Sequence, residues 1–121
     1  MSHCDTLKAY YESVQNGSLD PNLFTEDFAF EGPLMQCHSR DEFMGMMQQM
    51  AGAFKIDHIE WIARFTNDNN QACAMYDMTT TKPIEGVTRC AETFTFEGNQ
   101  IKKIQLVFDA RAWEKAMPAS A

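Results

Sequence analysis

Residues 91–113, AETFTFEGNQIKKIQLVFDARAW, contain two stretches of alternating apolar and polar side chains separated by a turn. A period of two is typical of β-strands that bury one face. The pattern predicts a strand over residues 87–96, a hairpin turn over 97–100 and a second strand over 101–108. A short helix over residues 110–117 is predicted to follow. The stretch therefore predicts an antiparallel hairpin with one apolar face.

More strands are predicted upstream of this hairpin. Residues 56–66 alternate, with Trp61 and Phe65 predicted on the same inward face. Residues 71–82 are apolar on both faces, which favours a central strand. Residues 28–31 form a further predicted strand, which breaks at Gly32-Pro33 before a short return strand over residues 34–37. The sheet is thus predicted to contain four long strands and one strand pair.

Helical patterns lie before and between these strands. Apolar residues spaced at i, i+3, i+4 and i+7 predict a helix over residues 4–16 and a second helix that ends near residue 52. The second helix opens with the capping box S-R-D-E over residues 39–42. A short helical turn is predicted after Asp20-Pro21, through Phe24. The two stripes consist of Leu7, Tyr10, Tyr11 and Val14, and of Phe43, Met46, Met47 and Met50.

Together these elements predict a single α+β domain over residues 1–121. Three helices are expected to cover one face of a curved antiparallel sheet, in a cone-shaped α+β barrel. A curled sheet covered by helices encloses a space suited to a small molecule. The sequence therefore predicts an apolar pocket for a small hydrophobic ligand.

Composition and charge exclude several classes of function. The net charge is −7, so the chain lacks the basic surface that nucleic-acid binding requires. An anionic membrane surface would also repel it. No apolar run is long enough to span a bilayer. The N-terminal residues lack the features of a secretory signal, so a cytoplasmic protein is expected. The four cysteines show no C-x-x-C spacing, and they are expected to be free thiols; no metal or cofactor is predicted.

One residue does not fit its predicted face. Glu92 alternates with Cys90, Phe94 and Phe96, so an inward face would bury its carboxyl among apolar side chains. Burial disfavours the charged form of a carboxyl and raises its pKa. The alternative is that Glu92 pairs with an arginine, Arg64 or Arg89, or lies in water at a strand end.

The order and spacing of three segments resemble the nuclear-transport-factor-2-like superfamily, with its SnoaL-like and ketosteroid-isomerase-like domains. The segments are YYESVQNGSLDPNLFTEDFAFEGP, HSRDEF and AETFTFEGNQIKKIQLVFDARAW. The resemblance implies that Tyr10 and Glu92 hydrogen-bond a substrate oxygen. It also implies an aspartate base where this chain has Gly32. Steroid isomerisation by that mechanism is therefore not expected.

Two residues are candidates to replace the missing base. His38 is close to Gly32 in sequence, and the ordinary pKa of histidine suits a general base. The alternative is an exposed histidine just before a helix cap. Asp77 lies mid-strand, where other members of the superfamily carry catalytic acids, but the pattern leaves its face open. Tyr10 could also be a packing residue. The predicted ligand-binding wall consists of Phe28, Phe30, Gly32, Met47, Met50, Trp61, Cys90, Phe94, Leu106 and Phe108.

Three functions remain open at this stage. The first is an isomerase, cyclase or hydrolase that acts on a hydrophobic, oxygen-bearing substrate. The second is a non-catalytic protein that binds a small hydrophobic ligand in a pocket whose base has been lost. The third is a dimeric interaction module. The resemblance implies a homodimer through the outer sheet face, which is predicted to carry Arg89, Thr93, Thr95, Lys103 and Gln105.

Overall fold

Three α-helices and six β-strands make up the protein in the computed structural model, which describes residues 2–50 and 52–116. No helix in these two ranges is both long and apolar enough to cross a membrane. A 3₁₀ turn, Pro21–Leu23, precedes the first strand. In chain order the elements are α1 (His3–Asn16), β1 (Phe24–Glu31), β2 (Gln36–Cys37), α2 (Arg40–Met50), β3 (Lys55–Thr66), β4 (Gln71–Lys82), β5 (Gly86–Glu97), β6 (Gln100–Val107) and α3 (Arg111–Ala116).

The six strands form one curved, open sheet in the order β2-β1-β6-β5-β4-β3. The meander from β3 to β6 is antiparallel, and β4 lies between two strands as predicted. However, β1 pairs with β6 in parallel, so the sheet is mixed rather than antiparallel. Side-chain alternation is the same in both kinds of pairing, and for this reason the sequence pattern could not give the direction of β1.

Local sequence explains where the helices begin and end. The side chain of Ser2 accepts a hydrogen bond from the Asp5 N–H, and the Asp5 carboxylate accepts one from the Ser2 N–H, which caps α1. Gly17 ends α1 with a left-handed φ of 68°. Ser39 accepts a bond from the Glu42 N–H at the start of α2, as the capping box predicts. The predicted helical turn through Phe24 is too long, because Phe24 already belongs to β1.

The inner face of the sheet and the apolar stripe of α1 form the core. Cys90, Phe94 and Phe96 of β5 are buried on this face, which confirms the predicted alternation. The prediction for β3 fails after Trp61, because the pairing with β4 shifts between Trp61 and Ala63. An irregularity of one residue exchanges the two faces of a strand. Phe65 consequently lies on the outer face and is 67% exposed.

Candidate functional site

A cavity of about 660 Å³ lies between the helices and the inner face of the sheet. This volume falls within the usual range of small-molecule sites. Each helix contributes to its wall, as do β1 and the four long strands. Representative lining residues are Val14 of α1, Met47 of α2, Ile59 of β3, Tyr76 of β4, Leu106 of β6 and Trp113 of α3.

Glu92 is the buried acid of this cavity. Its side chain projects inward from β5, and only 2% of the residue is exposed. The hydroxyl of Tyr11 donates to Oε1 of Glu92 at 2.8 Å, and the hydroxyl of Tyr76 donates to the same oxygen. Ala74 lies directly opposite Glu92 on β4, and its small side chain leaves room for Tyr76 two residues along. Two elements, α1 and β4, thus hold the carboxyl in one orientation.

The other carboxylate oxygen, Oε2, accepts no hydrogen bond from the described residues. The Tyr10 hydroxyl likewise has no hydrogen-bond partner among them. In the part of the chain that is described, Thr25 Oγ1 is the one side-chain polar atom that is both sealed from solvent and unpaired. Glu92 and Tyr10 both line the cavity, so their unpaired oxygens are open to it. The cavity therefore contains one acceptor and one donor that a ligand could reach.

The surroundings of Glu92 set its charge. Burial raises the pKa of Glu92 from about 4.5 to about 7, although the hydrogen bonds from Tyr76 and Tyr11 act in the opposite direction. Burial, followed by the charge of Glu92, raises the pKa of both tyrosines far above the usual phenol range. The two hydroxyls therefore remain donors, and the carboxyl is half ionised near neutral pH.

Neither arginine considered as a partner reaches Glu92. The guanidinium of Arg64 lies 5.0 Å from the centroid of the Trp61 ring. Arg89 forms a two-pronged ion pair with Asp77, with nitrogen–oxygen distances of 2.9 and 3.0 Å. Glu92 is thus held by neutral hydroxyl groups, which leave its negative charge uncompensated when it ionises.

Aromatic side chains line the cavity near α3. Trp113 is fully buried, and its indole N–H donates to Thr88 Oγ1 at 3.1 Å. Its ring packs against those of Phe54 and Phe108, with centroid separations of 5.2 and 5.9 Å. The short helix α3 therefore contributes part of the site as well as covering the sheet.

The predicted ligand-binding residues divide into two groups. Phe28, Trp61 and Phe94 lie behind the cavity surface, where they pack against Phe43, Tyr11 and Tyr10 respectively. The other seven line the cavity: Phe30, Gly32, Met47, Met50, Cys90, Leu106 and Phe108.

The two candidate replacement bases lie elsewhere. His38 is exposed between β2 and α2 and does not line the cavity. Asp77 lies on the outer face of β4, because Tyr76 and Met78 occupy the inner face, and its carboxylate is paired with Arg89. The ion pair lowers the pKa of Asp77. Neither residue therefore lies where it could replace the missing base in the cavity.

Gly32 lines the cavity, yet the volume beside it is not vacant. A Cβ atom at this position would lie 2.8 Å from Cε1 of Phe30. The phenylalanine ring, two residues earlier on the same face, thus fills the volume that a side chain at position 32 would need. Phe30 in turn stacks on Phe43 of α2, with a centroid separation of 5.3 Å.

The main site residues missed by the sequence analysis are Tyr11, Tyr76 and Trp113. Tyr11 belongs to the predicted helix stripe beside Tyr10, and the stripe alone does not indicate which of the two hydroxyls reaches Glu92. Tyr76 precedes Asp77 and therefore lies on the opposite face of β4, so an outward Asp77 implies an inward Tyr76. Trp113 is the one tryptophan of the terminal helix, and an apolar residue of this size in so short a helix was the available signal.

Comparisons with known proteins agree with this architecture. The sequence profile of a family described as the SnoaL-like domain matches residues 7–104. No curated protein matches the chain. A proposed isomerase from Bacillus subtilis has a similar structure, with a TM-score of 0.81, 11% identity, and coverage of 96% of this chain and 95% of that chain.

Two further solved structures share the fold. A proposed polyketide cyclase from Silicibacter sp. has a TM-score of 0.78 and 17% identity, and the match covers 97% of this chain and 96% of that chain. A protein with a ketosteroid isomerase-like fold from Catenulispora acidiphila, solved in complex with trimethylamine, has a TM-score of 0.72 and 12% identity, with coverage of 86% and 85%. At such identities the likeness establishes the fold alone.

Proposed function

The chain belongs to the SnoaL-like domain family, and we propose that it is an acid–base enzyme whose cavity binds a small apolar molecule against Glu92. The observation that carries the proposal is the carboxyl itself: it is buried, two tyrosines hold one oxygen, and the other is open to the cavity. Perturbed acids in clefts are typical of functional sites.

The fixed carboxyl can act in both directions of proton transfer. Because Oε1 already accepts two hydrogen bonds, a bound proton is carried by Oε2, which faces the ligand. With its pKa near 7, the group is present in both protonation states at neutral pH. That condition favours general acid–base catalysis. Glu92 would therefore supply the base that the sequence lacks at Gly32.

The proposed reaction classes are ones that a single carboxyl in an apolar cavity can serve. An isomerase, cyclase or hydrolase acting on a hydrophobic, oxygen-bearing substrate needs a proton moved to or from a carbon or oxygen atom. Protonated Oε2 would donate to the substrate oxygen, and ionised Oε2 would remove a proton from the adjacent carbon. The hydroxyl of Tyr10, which has no partner within residues 2–50 and 52–116, would donate a second hydrogen bond, because burial and the charge of Glu92 keep its pKa high.

A generic proton-transfer assay tests the proposal without knowledge of the natural substrate. We expect the protein to accelerate exchange of the α-protons of 4-phenyl-2-butanone in D₂O, measured by proton NMR, with a rate that rises through pH 7. Glu92→Gln should abolish the acceleration, whereas Glu60→Gln, the same change at an exposed position on β3, should retain it. Equal exchange rates in both variants would refute the role of Glu92.

The non-catalytic alternative predicts a different result in the same samples. Binding of the ketone would then perturb the NMR signals of Tyr10 and Tyr76 without any acceleration of exchange. That outcome would leave a ligand-binding cavity and remove the enzyme assignment.

We also propose that the outer sheet face forms a homodimer. Apolar side chains of three adjacent strands lie side by side on this face. Met75 of β4 pairs with Ala91 of β5, and Ala91 pairs with Val107 of β6. Val107 is 67% exposed, as is Phe65 nearby on the same face. Contiguous exposed apolar residues favour association.

Sedimentation analysis tests the dimer. The wild type should sediment as a dimer at micromolar concentration, and Val107→Glu should sediment as a monomer. Gln49→Glu, which adds the same charge on the exposed surface of α2, should leave the dimer intact. A monomeric wild type would refute the proposal.

A further inference from the structure

We propose that the cavity, when Glu92 is ionised, is a binding site for an apolar ammonium ion. The inference rests on the proposed function only in its premise that the cavity admits small molecules. It concerns a second class of ligand, distinct from the oxygen-bearing substrate proposed above. It is carried by the charges, the aromatic faces and the open oxygen of the lining.

The charges in the lining have one sign. Among the described residues that line the cavity, none is lysine, arginine or histidine, and two are acids. Glu92 is buried, whereas the side chain of Asp41 is 96% exposed and its Oδ1 lies 4.0 Å from Nε of Arg40. The buried charge of Glu92 would repel an anionic ligand and attract a cation, whereas water and Arg40 screen the charge of Asp41.

The walls suit a cation that carries apolar groups. Aromatic rings attract cations over their faces, and enclosed aromatic sites bind substituted ammonium groups. Sulfur and aliphatic groups of Met47, Met50 and Leu106 provide adaptable apolar contacts around them. The aromatic lining residues are Tyr10, Tyr11, Phe30, Phe43, Phe54, Tyr76, Phe108 and Trp113.

Oε2 of Glu92 gives the ammonium group a specific partner. The titratable groups that face this carboxyl are Tyr10 and Tyr11 from α1, Tyr76 from β4 and Cys90 from β5. Burial raises the pKa of each, so all four stay neutral while Glu92 ionises. A bound ammonium would therefore be the sole cation beside Glu92 within the described residues, and its N–H would donate to Oε2.

The protonation state of Glu92 selects between ligand classes. A ketone accepts a hydrogen bond from the protonated carboxyl, whereas an ammonium ion pairs with the ionised one. An aliphatic amine, with a pKa of about 10, is protonated throughout the range of interest. Since the pKa of Glu92 is about 7, affinity for the amine should rise roughly tenfold between pH 6 and pH 8. Bound ammonium should lower the pKa of Glu92, so binding at pH 6 should release a proton.

Matched ligands with one carbon skeleton test this inference. We would measure binding of 4-phenylbutan-2-amine, 4-phenylbutan-2-ol and 4-phenyl-2-butanone by calorimetry at pH 6 and pH 8. At pH 8 the amine should bind roughly tenfold more tightly than the alcohol, the ratio expected for a hydrogen bond to a charged group over a neutral one. Buffers of different ionisation enthalpy should reveal the proton released at pH 6.

Variants separate this inference from the proposed function. Glu92→Gln should remove the preference for the amine and its pH dependence, and Glu60→Gln should preserve both. If the alcohol and ketone bind in a manner that depends on Glu92 but the amine binds no more tightly, the ammonium site is refuted and the proposed function stands. If none of the three ligands binds the wild type, both are refuted.

Discussion

Replacement of Glu92 by glutamine should make the protein more stable at high pH. Glutamine has nearly the same shape, and its carbonyl oxygen can accept the hydroxyl hydrogens of Tyr11 and Tyr76 as Oε1 does. It carries no charge that burial can destabilise. The folded protein holds the Glu92 proton more tightly than the unfolded chain, because the pKa is raised on folding. The wild type therefore loses stability as the pH rises, and the variant does not.

The magnitude follows from the two pKa values. Below pH 4.5 Glu92 is protonated in both states, and the contribution of its raised pKa is fully present. This contribution is lost as the pH rises from 4.5 through about 7. At about 1.4 kcal/mol per pH unit, the loss reaches about 3 kcal/mol. For a domain of this size, that corresponds to a change in Tm of roughly 10 °C.

Urea unfolding at pH 4.5, 6 and 8 measures this difference. The free energies of unfolding of the wild type and Glu92→Gln should be close at pH 4.5, and the variant should be more stable by about 3 kcal/mol at pH 8. Glu60→Gln removes an exposed carboxyl and should show no such divergence. A constant difference between wild type and Glu92→Gln across the three pH values would refute the buried, raised-pKa carboxyl.

Three further substitutions test other parts of the site. Tyr76→Phe removes a donor to Glu92, so the pKa of that carboxyl, followed by carbon NMR, should rise further; an unchanged value would contradict the hydrogen bond. Gly32→Asp should lower the free energy of unfolding, measured with urea, by roughly 1–3 kcal/mol, because the new side chain meets the Phe30 ring. Adding Phe30→Leu should restore part of this loss; no restoration would show that the ring is not the obstacle. Trp113→Ala should cost about 3–5 kcal/mol of unfolding free energy; a loss below 1 would contradict its burial.

Local periodicity was sufficient to place Glu92. Its neighbours Cys90, Phe94 and Phe96 repeat with a period of two, and all three are buried, as is Glu92 itself. The partners of Glu92 could not be predicted in the same way. Tyr76 reaches the carboxyl only because β4 and β5 pair in the register that sets Ala74 opposite Glu92. Register between strands depends on the whole sheet, so it is absent from the pattern of either strand.

The choice between Tyr10 and Tyr11 shows the same limit in a helix. Adjacent residues project about 100° apart, and both belong to the inward stripe of α1. The rotation of α1 on the sheet directs Tyr11 to the carboxyl and leaves the Tyr10 hydroxyl without a partner among the described residues. The predicted face of Phe65 was wrong for a comparable reason. The irregularity after Trp61 changes which face the later residues occupy, and the residue types around it do not indicate this irregularity.

The ring of Phe30 over Gly32 makes the effect of a substitution at position 32 depend on the residue at position 30. An acid introduced at position 32 first would meet the ring at once, and the intermediate protein would carry the clash. A smaller residue at position 30 would avoid the collision but would lose the stacking on Phe43 and leave a wider cavity. Substitutions at positions 30 and 32 are therefore coupled, and the acid and the smaller residue should cost less stability together than the sum of the two separate changes.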